Sequence, residues 1–332
     1  MLGKYFLLTV LFGLVCLFPQ TSIAAAVAKP GWPSHLRMLS GPNGGQWFAL
    51  GDPIAEALSK NVAPTTNRMG GGMANIASLN KGAGDMGFSL TCFLGASMSG
   101  EEEYRDIQFD NATLMVNVYP QVMYFLLRKD VAERHGITDV ESFLKAKRPL
   151  RFASLKPGTA SEFVLRLLLK YGYDTSFDEL RERGWTISFN NYAETADNLV
   201  SGDLDCFAYT ASIEAPLILT MEQHIDVVIL PMEQRVLDIL AEKFKTSTHV
   251  IEPGYYKGVK SPILTLSDWT CILVRKDLPK DLVFAANKAL WEEVNNISSV
   301  TSDFKRLSPQ TALPKGLEAH PGSVEFWKTL SN

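Results

Sequence analysis

Two glycine-rich turns, GPNGGQW at 41–47 and RMGGGMANIASLNKGAGDMGFS at 68–89, each run directly into a segment of helical periodicity. Gly44 and Gly45, then Gly70, Gly71 and Gly72, carry no side chain that would hold a ligand away from the backbone. The N–H groups that open the two helices can therefore point at a carboxylate or phosphate. Each helix start contributes about half a unit of positive charge, worth ~0.3–1 kcal/mol when exposed and up to ~2 kcal/mol when partly buried. Taken singly, either stretch is an ordinary tight turn. As a pair they make an anion cradle that needs no arginine. Asn43, Gln46, Asn75, Thr159 and Ser161 can orient oxygen atoms around it, and Asn75 and Thr159 fit equally well as helix caps. Three or four hydrogen bonds to a charged group, at about 1.5–3 kcal/mol each, suffice for micromolar binding if closing the site costs little. Arg68 and Lys156 flank the turns and read as solvated. Trp47, Phe207 and Tyr209 are core-type aromatics, with Tyr209 the candidate for a cleft wall.

The elements that must position these residues alternate between strand and helix patterns, as α/β layers do. Leu36–Leu39 is a strand feeding the first turn. The helix after it contains Gly51 and Pro53, which predict a kink or a restart. Residues 73–81 form a helix closed by Gly82, and 86–89 the next strand. The segments 119–130, 151–155, 185–190, 205–209 and 225–230 read as strands, with helices at 140–147, 156–172 and 195–200. Gly158 makes the third turn, Thr159 or Ser161 caps its helix, and Glu162 supports the first turn. Two internal echoes stand out. The passage 75–88, with Gly82 and Asp85, is mirrored by 198–208, with Gly202 and Asp205; MYFLLRKD (123–130) is mirrored by CILVRKDLP (271–279). If both Arg-Lys-Asp strands cross between lobes, lobe 1 is 29–125 plus 265–332 and lobe 2 is 126–264. Two lobes suit a chain longer than one core usually supports.

The start of the chain has the layout of an export signal. Lys4 precedes an apolar run over 5–18, and Ala24, Ala25, Ala26 and Ala28 offer cleavage near Ala26 or Ala28, so 1–28 is expected to be removed. The run is shorter than the ~20 residues a bilayer crossing needs, and the chain is not expected to span a membrane. Val15 is the wrong residue before a lipidated Cys16. A formal charge of −4 argues against nucleic acid or an acidic membrane surface as partner. Cys92, Cys206 and Cys271 have neither zinc nor redox spacing and read as buried small hydrophobes. The sequence lacks G-x-S-x-G, H-E-x-x-H and Walker A motifs, and its five histidines are scattered, so no catalytic residue, metal or cofactor is expected. His320 is expected to fix the C-terminal segment, and the acidic run 101–103 to be a solvated loop. A nucleotide-binding enzyme is a second reading of Gly70 and Gly72, but the third glycine of a dinucleotide loop is missing.

The turn at 41–46, the glycine passage ending at Asn75, KPGTAS (156–161), SGDLD (201–205), VRKDLPKDLV (274–283) and HPGSVEFW (320–327), in that order, resemble the TAXI-type solute receptors of TRAP transporters. The resemblance covers almost all of the chain after the leader. It implies an α/β, type II periplasmic binding-protein fold, two α/β lobes joined by two hinge strands, with the ligand held between them. It also implies a periplasmic protein that carries a glutamate-like amino acid, a 2-oxoacid or a dicarboxylate to TRAP permease subunits in the membrane. Carried over by position, Asn43, Gly44, Gly45 and Gln46 would bind at the first helix start and Gly72, Met73 and Asn75 at the second. Thr159, Ala160 and Ser161 would approach from the opposite lobe, with Tyr209 added from the aromatic reading. The family often has serine where this chain has Gly72, so one hydroxyl is missing. A ligand sensor for a membrane signalling partner is compatible with the same sequence.

Overall fold

The computed structural model describes residues 28–41, 43, 45–102 and 110–331. The expected leader apart from Ala28, together with Gly44 and Glu103, lies outside the described residues. The chain begins with β1 (Leu36–Leu39), α1 (Gln46–Asn61), β2 (Thr65–Arg68), α2 (Gly72–Asn80), β3 (Met86–Leu90), α3 (Thr91–Ser99) and β4 (Ala112–Arg128). It continues through α4 (Lys129–His135), α5 (Val140–Leu144), β5 (Arg151–Leu155), α6 (Ala160–Leu167), α7 (Phe177–Glu182), β6 (Thr186–Asn190), α8 (Tyr192–Ser201) and β7 (Cys206–Ala211). Then follow α9 (Pro216–Met221), β8 (Val227–Ile229), α10 (Gln234–Phe244), β9 (Ser247–Ile251), β10 (Ile263–Arg275), α11 (Lys280–Glu292), α12 (Val294–Ile297) and α13 (Pro321–Leu330).

One strand order occurs twice. In the first half of the sheet β1 lies parallel to β2 and β3, and β10 runs antiparallel between β3 and β4. In the second half β5 lies parallel to β6 and β7, and β4 runs antiparallel between β7 and β8. The two orders, β2-β1-β3-β10-β4 and β6-β5-β7-β4-β8, are the same arrangement, with the fourth place taken each time by a strand arriving from the other half. The strands β4 and β10, 17 and 13 residues long, therefore belong to both halves. Both faces of β4 are buried, which is why 112–118 shows no alternation of polar and apolar residues. Pro120 is accommodated in β4 beside an irregularity in the pairing with β10, where Tyr119 faces Thr270 and Asn117 faces Cys271.

The internal echoes are structural. Arg37 of β1 donates from its backbone N and from Nε to Asp85 Oδ2, both at 2.8 Å, and from Nη2 to Gly82 O at 2.9 Å. Arg151 of β5 makes the same set to Asp205 Oδ2, at 2.8 and 3.1 Å, and to Gly202 O at 2.6 Å. Gly82 and Gly202 sit at φ +68° and +87°, the left-handed region that glycine enters without penalty. The Arg-Lys-Asp runs match too: Arg128 Nε donates to Asp130 Oδ1 at 3.0 Å and Arg275 Nε to Asp277 Oδ1 at 2.8 Å.

Two expectations change. The helix α1 runs uninterrupted through Gly51 and Pro53, because burial of Leu50, Ile54, Ala57 and Leu58 offsets the hydrogen bond that Pro53 cannot make. Glu101 and Glu102 are not a solvated loop: Glu102 accepts from Arg166 Nη1, Lys170 Nζ and Tyr171 Oη, each at 2.7 Å, and Glu101 from Lys243 Nζ at 2.7 Å. Burial works against ionisation of Glu102, but the hydrogen bonds from Lys170 and Tyr171 and the charges of Lys170 and Arg166 outweigh it and hold its carboxyl below the usual range. His320 behaves as expected, with Nδ1 accepting from Gly322 N at 3.2 Å to cap α13 and Nε2 3.1 Å from Leu278 O. Cys92, Cys206 and Cys271 are free and buried. One core cluster, including Leu50, Phe88, Ile272 and Phe326, lies under the first half, and another, including Tyr124, Leu199, Phe207 and Ile229, under the second. A third reaches from Phe93 and Leu114 to Phe163 and Phe244 and joins the halves.

Candidate functional site

Each half of the sheet sends its first two βα connections to the same place. The residues that open α1, α2, α6 and α8, namely Gln46, Gly72, Ala160 and Tyr192, all line a single cleft of about 640 Å³. A cleft at the carboxyl ends of parallel strands, with helix starts directed into it, is where α/β proteins hold ligands.

The four starts are not equivalent. On α6 the Thr159 hydroxyl accepts from Glu162 N at 3.3 Å, and on α8 the Asn191 side chain accepts from Glu194 N at 2.9 Å. The starts of α1 and α2 have Gly45 and Gly71 at the capping position and no side-chain cap. The first half thus presents two helix starts without a side-chain cap, and the second half two that carry their own acceptors. Glycines clear the approach. Gly45, Gly70, Gly71 and Gly72 line the cleft, and a Cβ built on Gly71 would meet nothing within 4 Å. A Cβ on Gly72 would collide with the ring of Phe93, which fills that place.

Of the residues singled out in the sequence, Gly45, Gln46, Gly72, Thr159, Ala160, Ser161 and Tyr209 line the cleft. Asn43 is exposed, Met73 is half-buried against the core, and neither is among the lining residues. Asn75 is buried behind the wall: its Oδ1 accepts from Gly71 N at 3.0 Å, and its Nδ2 donates to the carbonyls of Leu39, Ser40 and Phe88 at 3.2, 2.9 and 2.8 Å. Its amide braces β1, α2 and β3 and has no group left for a ligand, which corrects the side-chain role expected for it. Thr159 is likewise engaged, donating to Lys156 O at 2.8 Å while it caps α6. Ser161 Oγ lies 2.8 Å from Thr210 Oγ1 and accepts from Thr210 N at 3.0 Å, tying α6 to β7. Gln46 Nε2 donates to Thr301 Oγ1 at 2.7 Å and Asp303 Oδ2 at 3.1 Å. Of the polar side chains expected to grip the solute, Gln46, Asn75, Thr159 and Ser161 are engaged within the protein and hold the helix starts in place. Gly70 N and Gly71 N are also engaged within the chain, with Gly41 O and Asn75 Oδ1.

Sequence reasoning missed Phe93, Gln121, Tyr192 and Thr210 as lining residues. Tyr192 opens α8 just as Gly72 opens α2, so the echo between the halves carried that signal; Phe93 and Gln121 have no local mark. Gln121 Nε2 and Trp47 Nε1 both donate to Thr270 Oγ1, at 3.2 and 3.3 Å, which fixes both side chains on β10. Arg68 and Lys156 are exposed and away from the lining. Tyr209 is 1% exposed, stacks on Phe207 at 4.4 Å between ring centroids, and its hydroxyl has no partner in the protein. Burial pushes its phenol well above the ordinary range, so it stays a neutral donor.

Where β4 and β10 pass between the halves, Gln121 faces Asp268. Asp268 is buried and accepts from the Thr91 hydroxyl, from Cys92 N at 3.2 Å and from Trp269 N at 2.8 Å. Burial pushes its carboxyl up to about 6, against those hydrogen bonds. Among the described residues no cluster of His, Cys, Asp and Glu could hold a metal ion, and no helix is long and apolar enough to cross a membrane.

The doubled strand order with two exchanged strands is that of the type II periplasmic binding proteins. The chain belongs to the NMT1-like family, whose model matches residues 38–329. Solved structures similar to it include a protein of Bordetella bronchiseptica RB50, at 12% identity and a TM-score of 0.51, covering 90% of this chain and 99% of that one. A Xanthomonas citri protein bound to chloride ion, at 12% identity and a TM-score of 0.49, covers 90% of this chain and 96% of its own. MatC from Rhodopseudomonas palustris with bound malate, at 15% identity and a TM-score of 0.48, covers 91% and 100%. At 12% identity the likeness to the Bordetella protein concerns the fold alone. No curated protein matches the sequence.

Proposed function

We propose that the chain is an exported, periplasmic solute receptor that captures a small organic anion in this cleft and delivers it to a membrane permease. The resemblance of its motifs to TAXI-type receptors makes a TRAP permease the partner and makes glutamate-like amino acids, 2-oxoacids and dicarboxylates the classes to test first. The observation that carries the reading is the asymmetry of the four helix starts. Uncapped α1 and α2, cleared by Gly45, Gly71 and Gly72, take the negative group. Capped α6 and α8 approach from the other side. Lobes 29–125 plus 265–332 and 126–264 close over the solute, and the rotation is absorbed near 120–128 and 268–275, where β4 and β10 change partners.

Calorimetric titration with organic acids tests this together with Gly71→Leu. The backbone at Gly71 is extended, φ −177°, and a side chain there projects into open space, so the variant should fold normally. It should lose acid binding by roughly a hundredfold, because the leucine occupies the anion's place. Unchanged affinity in Gly71→Leu would remove the cleft from consideration.

A further inference from the structure

We infer that Glu101 and Glu102 form an ionic latch on the far side of the hinge from the cleft, which favours the open receptor and must part when the lobes close. The inference rests on the receptor reading above and adds a regulating element to it. Both acids follow α3, a helix of lobe 1, and their partners belong to lobe 2. Glu102 accepts from Arg166 Nη1, Lys170 Nζ and Tyr171 Oη, and Glu101 accepts from Lys243 Nζ, each at 2.7 Å. The Tyr171 hydroxyl also lies 2.8 Å from Glu101 Oε2. The Glu102 side chain is only 8% exposed, so its pairs are screened less than those of a solvated loop. All of these pairs are made while the cleft stands at about 640 Å³.

The place of the latch follows from the two helices that carry it. Gln121 of β4 lines the cleft where β4 and β10 cross, and Asp268, paired with it on β10, accepts from Thr91 and Cys92 at the start of α3. From there α3 runs along lobe 2. Phe93 meets Phe163 of α6 at 4.5 Å between ring centroids, and Gly95 lies so near the end of α10 that a Cβ on it would come within 2.5 Å of Phe244 O. Glu101 and Glu102 come last. On α6 the cleft-lining residues are Ala160 and Ser161; Arg166 sits about 9 Å farther along the axis, with Lys170 beyond it. The crossing strands thus lie between the cleft and the ion pairs. A rotation about that crossing brings the cleft walls together and draws Glu101 and Glu102 away from α6 and α10. Closure breaks the pairs, so the open form holds until solute contacts outweigh them.

The test compares the parent with two variants that break the pairs from opposite lobes, Glu101→Gln/Glu102→Gln and Lys170→Gln/Lys243→Gln. Each protein is titrated calorimetrically with L-glutamate, 2-oxoglutarate and succinate, and its ligand-free radius of gyration is measured by small-angle X-ray scattering. Both variants should bind the same acid roughly three- to tenfold more tightly than the parent while melting at a lower temperature. A brace with no part in closure would lower the melting temperature and leave affinity unchanged or weaker. That result in either folded variant overturns the latch and leaves the receptor reading standing. If no acid binds the parent or the variants, the ligand classes proposed above fail and scattering decides the latch. A smaller ligand-free radius in the variants then upholds it, and an equal radius overturns it.

Discussion

Replacing Asn75 with alanine should destabilise the fold far more than a typical polar substitution. The side chain is 1% exposed and makes four hydrogen bonds, one accepted from Gly71 N and three donated to the carbonyls of Leu39, Ser40 and Phe88. At ~1 kcal/mol net for each bond, reduced where a strand carbonyl keeps a second partner, the loss is about 3 kcal/mol. Over roughly 300 ordered residues an unfolding entropy of ~2.1 cal/mol/K per residue converts that to a fall of about 5 °C in melting temperature. Acid binding should weaken as well, because Asn75 holds Gly71 and so the start of α2 in place. Gly70→Ala provides an independent check, since a Cβ at Gly70 would collide with the Asn75 amide and should produce the same change through a different residue. Scanning calorimetry and titration of both variants measure these effects. A melting temperature within 1 °C of the parent for Asn75→Ala would refute the reasoning that its amide is a brace.

Asp268 predicts a pH dependence of known sign. Its folded pKa of about 6 lies above the ordinary 3.8, so protonation favours the native state. That contribution is present below about pH 4, is lost as pH rises through 6, and amounts to roughly 3 kcal/mol. In urea titrations Asp268→Asn should therefore gain on the parent between pH 4 and pH 7, and a difference independent of pH would refute this. Glu102→Gln should cost about 1–2 kcal/mol, because the shared acceptor of Arg166, Lys170 and Tyr171 loses its charge and one of its two oxygens; the loss should shrink in high salt. Equal melting temperatures for Glu102→Gln and the parent at low salt would return the acidic run to the solvated loop expected from sequence.

The features legible in the sequence are those that one βα unit states on its own. Gly82 with Asp85, and Gly202 with Asp205, mark the same turn in both halves, and the two Arg-Lys-Asp runs mark the ends of the two exchanged strands. Their spacing was visible because each device closes within a few residues. The glycine turns at 45 and 70–72 were visible for the same reason. What stayed hidden depends on partners far along the chain. Phe93 meets Phe163, Gln121 meets Thr270, and Asp268 caps the start of α3, none of which any local period announces. Residues 112–118 were unreadable as strand because burial on both faces removes the alternation that signals one. Asn75, Thr159 and Ser161 have the residue types of ligand groups, yet type alone does not tell a brace from a contact; the acceptors and donors around them do.

The central claim, that main-chain N–H groups at the starts of α1 and α2 receive the anion, is tested most directly by following assigned backbone amides in the ¹H–¹⁵N spectrum of the chain as 2-oxoglutarate is added. Saturable downfield shifts are expected at Gln46, Trp47, Gly72 and Met73, larger than those at Ala160 or Tyr192. Saturable binding that leaves those four amides unmoved while others shift would contradict it.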